Sequence, residues 1–153
     1  MRFAIAAVGR PRHAALAAAI ADYESRAARY WPLEAVEVRE ESARGAAADQ
    51  VREREGRRIA ERLGGFRLII CERDGTPRTS EEFARWVQRL REEGRDVAFV
   101  IGGAFGLAPA LHAGAWQRLS LAPWTLPHEL ARLVLAEQLF RAGTIARGEP
   151  YHK

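Results

Sequence analysis

Apolar residues fall along the chain in short unbroken runs, separated by longer segments with a period of three to four, and this alternation predicts strands and helices in turn. Phe3 to Val8 is one such run and ends at Gly9. From about Arg12 to Tyr30, Leu16, Ile20, Tyr23 and Ala27 recur at helical spacing, and Pro32 stops the helix. Leu33 to Val38 alternates apolar residues with Glu, which predicts a strand with one wet face. A polar loop, Glu40 to Ala46, leads into a strongly charged helix from Ala47 to Leu63 that Gly64 and Gly65 close. Phe66 to Cys71 and Asp96 to Ile101 predict two more buried strands. Between them lie a turn-rich loop, Glu72 to Pro77, and a helix from Thr79 to about Glu92, opened by the capping-box pair Thr79 and Glu82. Gly102-Gly103-Ala104-Phe105-Gly106 follows directly, then a short helix near Pro109 to Ala113 and a last strand, Arg118 to Leu121.

The segment from Ser120 to Arg141 organises the rest. It leaves the last strand, crosses a short loop and enters the longest apolar helix. Pro127 suits the first helical position, where its missing N–H costs nothing. Glu129 places negative charge in the first turn, which the helix dipole favours. Leu130, Leu133, Val134 and Phe140 recur at helical spacing, while Leu135, Ala136 and Leu139 widen the apolar arc beyond one stripe. Such a helix needs cover on more than one side. A chain this small has few helices to supply it, so a second copy, hence a homodimer, is expected.

Near-continuous apolar strands alternating with helices predict an α/β fold, a mostly parallel sheet with helices on both faces. Ligands in such sheets bind beyond the carboxyl ends of the strands. The loops after Cys71, Ile101 and Leu121 all meet that description. The glycines at 102, 103 and 106 let backbone approach a ligand closely. Their spacing matches neither the dinucleotide fingerprint nor the phosphate loop, and a plain tight turn explains them as well. The loop Ala122 to Leu126 carries Trp124 and apolar neighbours where polar residues are usual. It either walls an apolar pocket or packs against its own domain.

Composition narrows the class. A length of 153 residues fits one domain, residues 1–153. No apolar run approaches a membrane span, and the chain enters its first strand without a signal peptide. Cys71 is the only cysteine, which excludes an intrachain disulfide and a zinc site built unaided, and fits a reducing cytoplasm. The net charge of +4 permits an RNA partner without requiring one, because arginines and glutamates are mixed along the helices.

Several segments together resemble the ribosomal RNA large subunit methyltransferase H family of the SPOUT methyltransferases. They are Ile101-Gly102-Gly103 with Gly106-Leu107, Leu119-Ser120-Leu121, Thr125-Leu126-Pro127-His128, Arg132, Glu137 to Ala142, and the terminal Pro150-Tyr151-His152. Ala7-Val8-Gly9 and Gly94-Arg95-Asp96-Val97 match too, so the resemblance spans essentially the whole chain. It implies a carboxyl-terminal trefoil knot, a homodimer, S-adenosylmethionine as methyl donor and no metal. The implied substrate is 23S rRNA within the assembled 70S ribosome, methylated at N3 of a pseudouridine. The same fold acting on a tRNA, or a ribosome-binding dimer that uses the arginine-rich helix without catalysis, remain the alternatives.

The resemblance also assigns roles. Cofactor contacts fall on Cys71, Glu72, Gly102, Gly103, Leu121, Ala122, Pro123, Trp124, Thr125, Leu126 and Pro127. His128, Arg141 and Tyr151 are the catalytic candidates, and Arg132, His152 and Lys153 the RNA-binding ones. The imide N3–H must lose its proton, so a base, or cations that favour the anion, would help. His128 equally suits a first-turn residue bonded to backbone. Arg141 lies four residues after Glu137, where a helix ion pair competes with a substrate role. Lys153 stands where the family often has Arg, and Lys lacks the bidentate fork.

Overall fold

The computed structural model describes residues 1–152; Lys153, expected to contact RNA, lies outside the described residues. The elements follow the expected order: β1 (Phe3–Val8), α1 (Ala14–Ala27), β2 (Leu33–Val38), α2 (Ala48–Arg62), β3 (Arg67–Pro77), α3 (Ser80–Glu92), β4 (Val97–Ile101), α4 (Pro109–Ala113), β5 (Gln117–Ser120) and α5 (His128–Ala146). The strands form one five-stranded sheet in the order β2-β1-β4-β3-β5. Every strand pair is parallel. The central strands β1 and β4 are buried at all positions, as continuous apolar runs require when both faces are covered.

Alternation along the strands divides the core into two layers. Phe3, Ile5, Ile69, Val97, Phe99 and Leu119 face α1, α3 and α5. Ala4, Ala6, Val8, Ile70, Ala98 and Val100 face Ile59 and Leu63 of the α2 segment and Leu111 of α4. The first layer is the larger and holds the aromatic residues. Trp31 is 2 % exposed and donates its indole N–H to the Leu139 carbonyl at 2.7 Å, so its bulk and its one polar atom are both satisfied. Burying a side chain of this class contributes roughly 1.5–3 kcal/mol. The capping box of α3 is formed: Thr79 Oγ1 accepts from the Glu82 N–H at 3.2 Å, and Glu82 returns a carboxylate to the Thr79 N–H at 2.8 Å.

After β5, at one edge of the sheet, the chain turns back. Helix α5 lies between α1 and α3 and touches β1 and β4 in the middle of the sheet. Three sides of its wide apolar arc are thus covered within the chain, more than the sequence led us to expect. Leu130 remains 37 % exposed.

Most boundaries shift by one to three residues, and two of the differences shape the site. Glu72 to Pro77 is not a free loop. Strand β3 pairs Cys71 with Leu119, then slips, and resumes with Thr76 on Leu119 and Pro77 on Ser120. Gly75 makes the slip possible, since a Cβ there would come within 2.5 Å of the Leu119 backbone carbon. Pro127 is the residue before the helix, with φ −53° and ψ 142°, and α5 begins one residue later at His128. Its fixed φ serves that position too.

Candidate functional site

The slipped segment of β3 at Cys71 to Arg73 and the loops beyond the carboxyl ends of β4 and β5 meet in one cleft of about 250 Å³. That is just under the ~300–1,000 Å³ usual for small-molecule sites. Of the expected cofactor residues, Cys71, Glu72, Gly102, Leu121, Ala122, Trp124, Thr125 and Leu126 line it, and His128 joins them from the first turn of α5. Gly103, Pro123 and Pro127 are not among the lining residues. Gly103 instead shapes the turn from behind. Its carbonyl accepts the Gly106 N–H at 3.0 Å, and an added Cβ would sit 3.1 Å from Glu55 and 3.2 Å from Val8. Gly106 has φ +79°, a conformation that favours glycine. At Gly102 a Cβ would press on the Gly106 backbone and Leu107 at 3.0 Å, so a side chain there would narrow the cleft.

Sequence reasoning missed Arg73, Ile101, Leu107, His112 and Ala131 among the lining residues. Ile101 was recoverable as the last residue of its strand. His112, on a five-residue helix, had no local signal.

The walls are largely apolar, with one carboxylate. Glu72 lies 3.4 Å from His112 Nδ1 and 3.3 Å from the Arg118 guanidinium. Its Oε1 is nevertheless buried without a hydrogen bond, because the Arg118 contact is electrostatic and not aligned. Burial, with the neighbouring Glu72 charge, pushes the Cys71 thiol up to about 12, so Cys71 is a neutral wall and not a nucleophile. A ligand that brings donors or positive charge to Glu72 and an apolar body to Leu107, Leu121 and Leu126 fits this chemistry. Among the described residues, no group of three or more His, Cys, Asp or Glu side chains is placed to hold a metal.

The remaining candidates form a separate cluster farther along α5. Arg141 holds Glu137 with Nη2 at 2.5 Å and lies 4.8 Å over the ring of Tyr151. Its Nη1 stands 3.3 Å from His152 Nδ1, and His152 Nε2 meets Glu81 at 2.7 Å. The Tyr151 ring packs edge-on against Phe140 with centroids 4.6 Å apart, and its hydroxyl donates to Glu137 at 3.1 Å. The tail is therefore docked along α5. Burial, then hydrogen bonding with the Tyr23 hydroxyl and to the Glu137 carboxylate, raises the Tyr151 phenol above its ordinary range, so it is a neutral donor and not a base. The Glu137 bond raises Arg141 further. The Glu137–Arg141 helix pair, one of the two sequence readings, is thus formed while Arg141 also organises the tail.

Arg132 lies elsewhere. Its side chain is 6 % exposed and is held by Glu24 at 2.7 Å and Glu37 at 2.8 Å. Burial alone would lower its pKa, but the two carboxylates outweigh it and the net shift is upward. It clamps α5 to α1 and β2 and offers no open surface to RNA. His128 and Arg141 are thirteen residues apart on one helix, roughly 20 Å at 1.5 Å per residue. Within one chain, the cleft and the tail cluster do not meet.

The comparisons with known proteins bear on family and fold. A family profile described as predicted SPOUT methyltransferase matches residues 1–152. A protein of Gemmatimonas aurantiaca named ribosomal RNA large subunit methyltransferase H is 60 % identical, with all of both chains aligned. Proteins of the same name from Anaeromyxobacter dehalogenans and Limosilactobacillus reuteri are 45 % and 41 % identical, again over the full length of both. Among solved structures, a probable methyltransferase from Bordetella pertussis superposes with a TM-score of 0.60 at 19 % identity, covering 92 % of this chain and 95 % of that one, which speaks to the fold.

Proposed function

The chain belongs to the SPOUT methyltransferase family, and from that premise we propose that it methylates 23S rRNA, at N3 of a pseudouridine in the assembled 70S ribosome, with S-adenosylmethionine as donor. The observation that carries this reading is the cleft into which the slipped segment of β3 and the loops after β4 and β5 open, beside the tail-bearing helix. The name shared by the full-length relatives supports the rRNA substrate. Cytoplasmic location follows from that substrate, and no helix among the described residues is long and apolar enough to cross a membrane.

S-adenosylmethionine, when bound, supplies an electrophilic methyl group on a sulfonium. The chain's residues would hold it and exclude water. Leu107, Leu121 and Leu126 give apolar walls, the backbone of residues 121–126 gives hydrogen-bonding groups, and Glu72 gives a carboxylate for hydroxyl donors and for positive charge. An in-line displacement needs little beyond such positioning. The acceptor N3–H must lose its proton, and cations beside it favour the anion. His128 at the cleft wall and the Arg141–His152 pair in the tail are the groups suited to that work, with Tyr151 as a stacking face for an unpaired base.

Since cleft and tail lie apart in one chain, we take the active unit to be a homodimer in which the tail of one copy completes the cleft of the other. Trp124, 76 % exposed at the cleft rim, and Leu130, 37 % exposed in the first turn of α5, are apolar side chains left open to such a contact. We also read the return of α5 from the sheet edge to its centre as the closing pass of a trefoil knot.

The test is incubation of the purified protein with methyl-labelled S-adenosylmethionine and 70S particles, followed by mapping of the labelled nucleotide. Label at one pseudouridine of the large-subunit RNA is expected. Label in tRNA would move the substrate, and absence of label from all RNA would leave the non-catalytic dimer.

A further inference from the structure

A second cavity, of about 600 Å³, opens between the carboxyl-terminal parts of α3 and α5. Tyr30 and Trp31, which lead into the start of β2, also line it, so it lies at the end of the sheet opposite the cleft. Its rim is arginine-rich: Arg85, Arg89 and Arg91 come from α3, and Arg147 from the end of α5. Among the described residues none of these four pairs with a carboxylate. Other arginines among the described residues, Arg57 and Arg62 included, are unpaired too, while Arg2, Arg12, Arg54 and Arg58 are paired, so what sets this rim apart is the gathering of four unpaired guanidinium groups around one cavity. The only lining carboxylate, Glu92, accepts from Gln88 at 3.0 Å.

The arrangement suits an anion. Arg147 lies 4.5 Å over the Tyr30 ring and Arg91 6.0 Å over Trp31, contacts that hold both guanidinium groups at the groove. One Arg147 N–H is taken by the Arg29 carbonyl at 3.2 Å. Arg85 and Arg89 are one helical turn apart with no acid between them, a repulsion that a bound phosphate relieves. The dipole of α3 accounts for arginine in its last turn, at 89 and 91. It does not account for Arg85, nor for the convergence of Arg147 from another helix.

We propose that this groove is a second RNA contact, which takes the phosphodiester backbone of an rRNA segment away from the target base. The proposal rests on the rRNA-methyltransferase reading above. Gly143 to Arg147 lie fifteen to nineteen residues beyond His128 on α5, roughly 22–28 Å along its axis. The phosphates engaged therefore belong to a different stretch of RNA from the one presented at the cleft. Guanidinium forks match phosphate oxygens, and such contacts set orientation without reading sequence.

The experiment is filter binding of the full-length protein to 70S particles across a salt series. It compares wild type with Arg85→Gln/Arg89→Gln and with Arg39→Gln/Arg44→Gln, an equal charge loss at exposed positions before α2. The groove variant is expected to flatten the log–log salt slope by roughly 0.7–0.9 per lost contact and to bind about tenfold more weakly near physiological salt. It should bind S-adenosylmethionine like wild type, and the control variant should keep the wild-type slope. Equal slopes for both variants, or an unchanged slope in the groove variant, would overturn the groove. Failure of the underlying reading would look different: ribosome binding would persist, with no methyl label from the wild-type protein.

Discussion

Replacing Arg141 with alanine is expected to lower rRNA methylation by about 10²–10³-fold, the usual effect of deleting one electrostatic stabiliser from a preorganised site. In the same variant, affinity for S-adenosylmethionine should stay within about twofold of wild type. The separation follows from position. Arg141 joins Glu137, Tyr151 and His152 in the tail cluster, while the cleft is lined from residues near His128, at the other end of the helix. Stability should change little. A helix ion pair is worth about 0.3–0.5 kcal/mol and an exposed cation–π contact about 0.5–1 kcal/mol, so the melting temperature should fall by only a few degrees. Arg141→Lys keeps the charge but loses the fork, and should recover part of the activity. The measurements are single-turnover methylation of ribosomes, calorimetric titration and thermal unfolding. Activity within threefold of wild type in the alanine variant would remove Arg141 from the site.

Gly75→Val should be the most damaging small substitution near the cleft. A Cβ at this position would come within 2.5–2.7 Å of the Leu119 backbone carbon and nitrogen and of the Ser120 nitrogen. Backbone cannot yield as a side-chain tip can, so β5 must move off β3. Overpacking of this kind costs about 1–3 kcal/mol, and a β-branched residue adds to it. The larger consequence is functional. Strand β5 carries the chain into residues 121–126, so a displaced β5 moves one wall of the cleft. We expect melting about 5–10 °C lower and S-adenosylmethionine binding weakened beyond detection by calorimetry. Near-wild-type binding would mean that the paired segment Thr76–Pro77 does not position the cleft.

These two residues also mark where sequence reading succeeds and where it stops. The strands were legible because apolar runs such as Phe3–Val8 and Val97–Ile101 are buried on both faces, and burial on both faces leaves a continuous apolar signature. The convergence of loops after Cys71, Ile101 and Leu121 followed from the general placement of ligand sites in parallel sheets. Gly75 was hidden, because a slipped strand pairing between β3 and β5 is a long-range fact and Glu72 to Pro77 reads locally as turn chemistry. Arg132 shows the same limit. A lone arginine on a helix does not announce that Glu24 and Glu37, far away in sequence, will enclose it. The tail was legible as Pro-Tyr-His only through family resemblance; its docking on Phe140 and Glu81 is a property of the folded chain.

The cleft is the proposed seat of the methyl donor, and every role assigned above turns on that. Calorimetric titration of the purified protein with S-adenosylmethionine measures this directly. One molecule bound per chain is the expected result, with the heat abolished in a Gly102→Val variant whose new side chain narrows the cleft. No binding heat in the wild-type protein, or full binding in that variant, would contradict it.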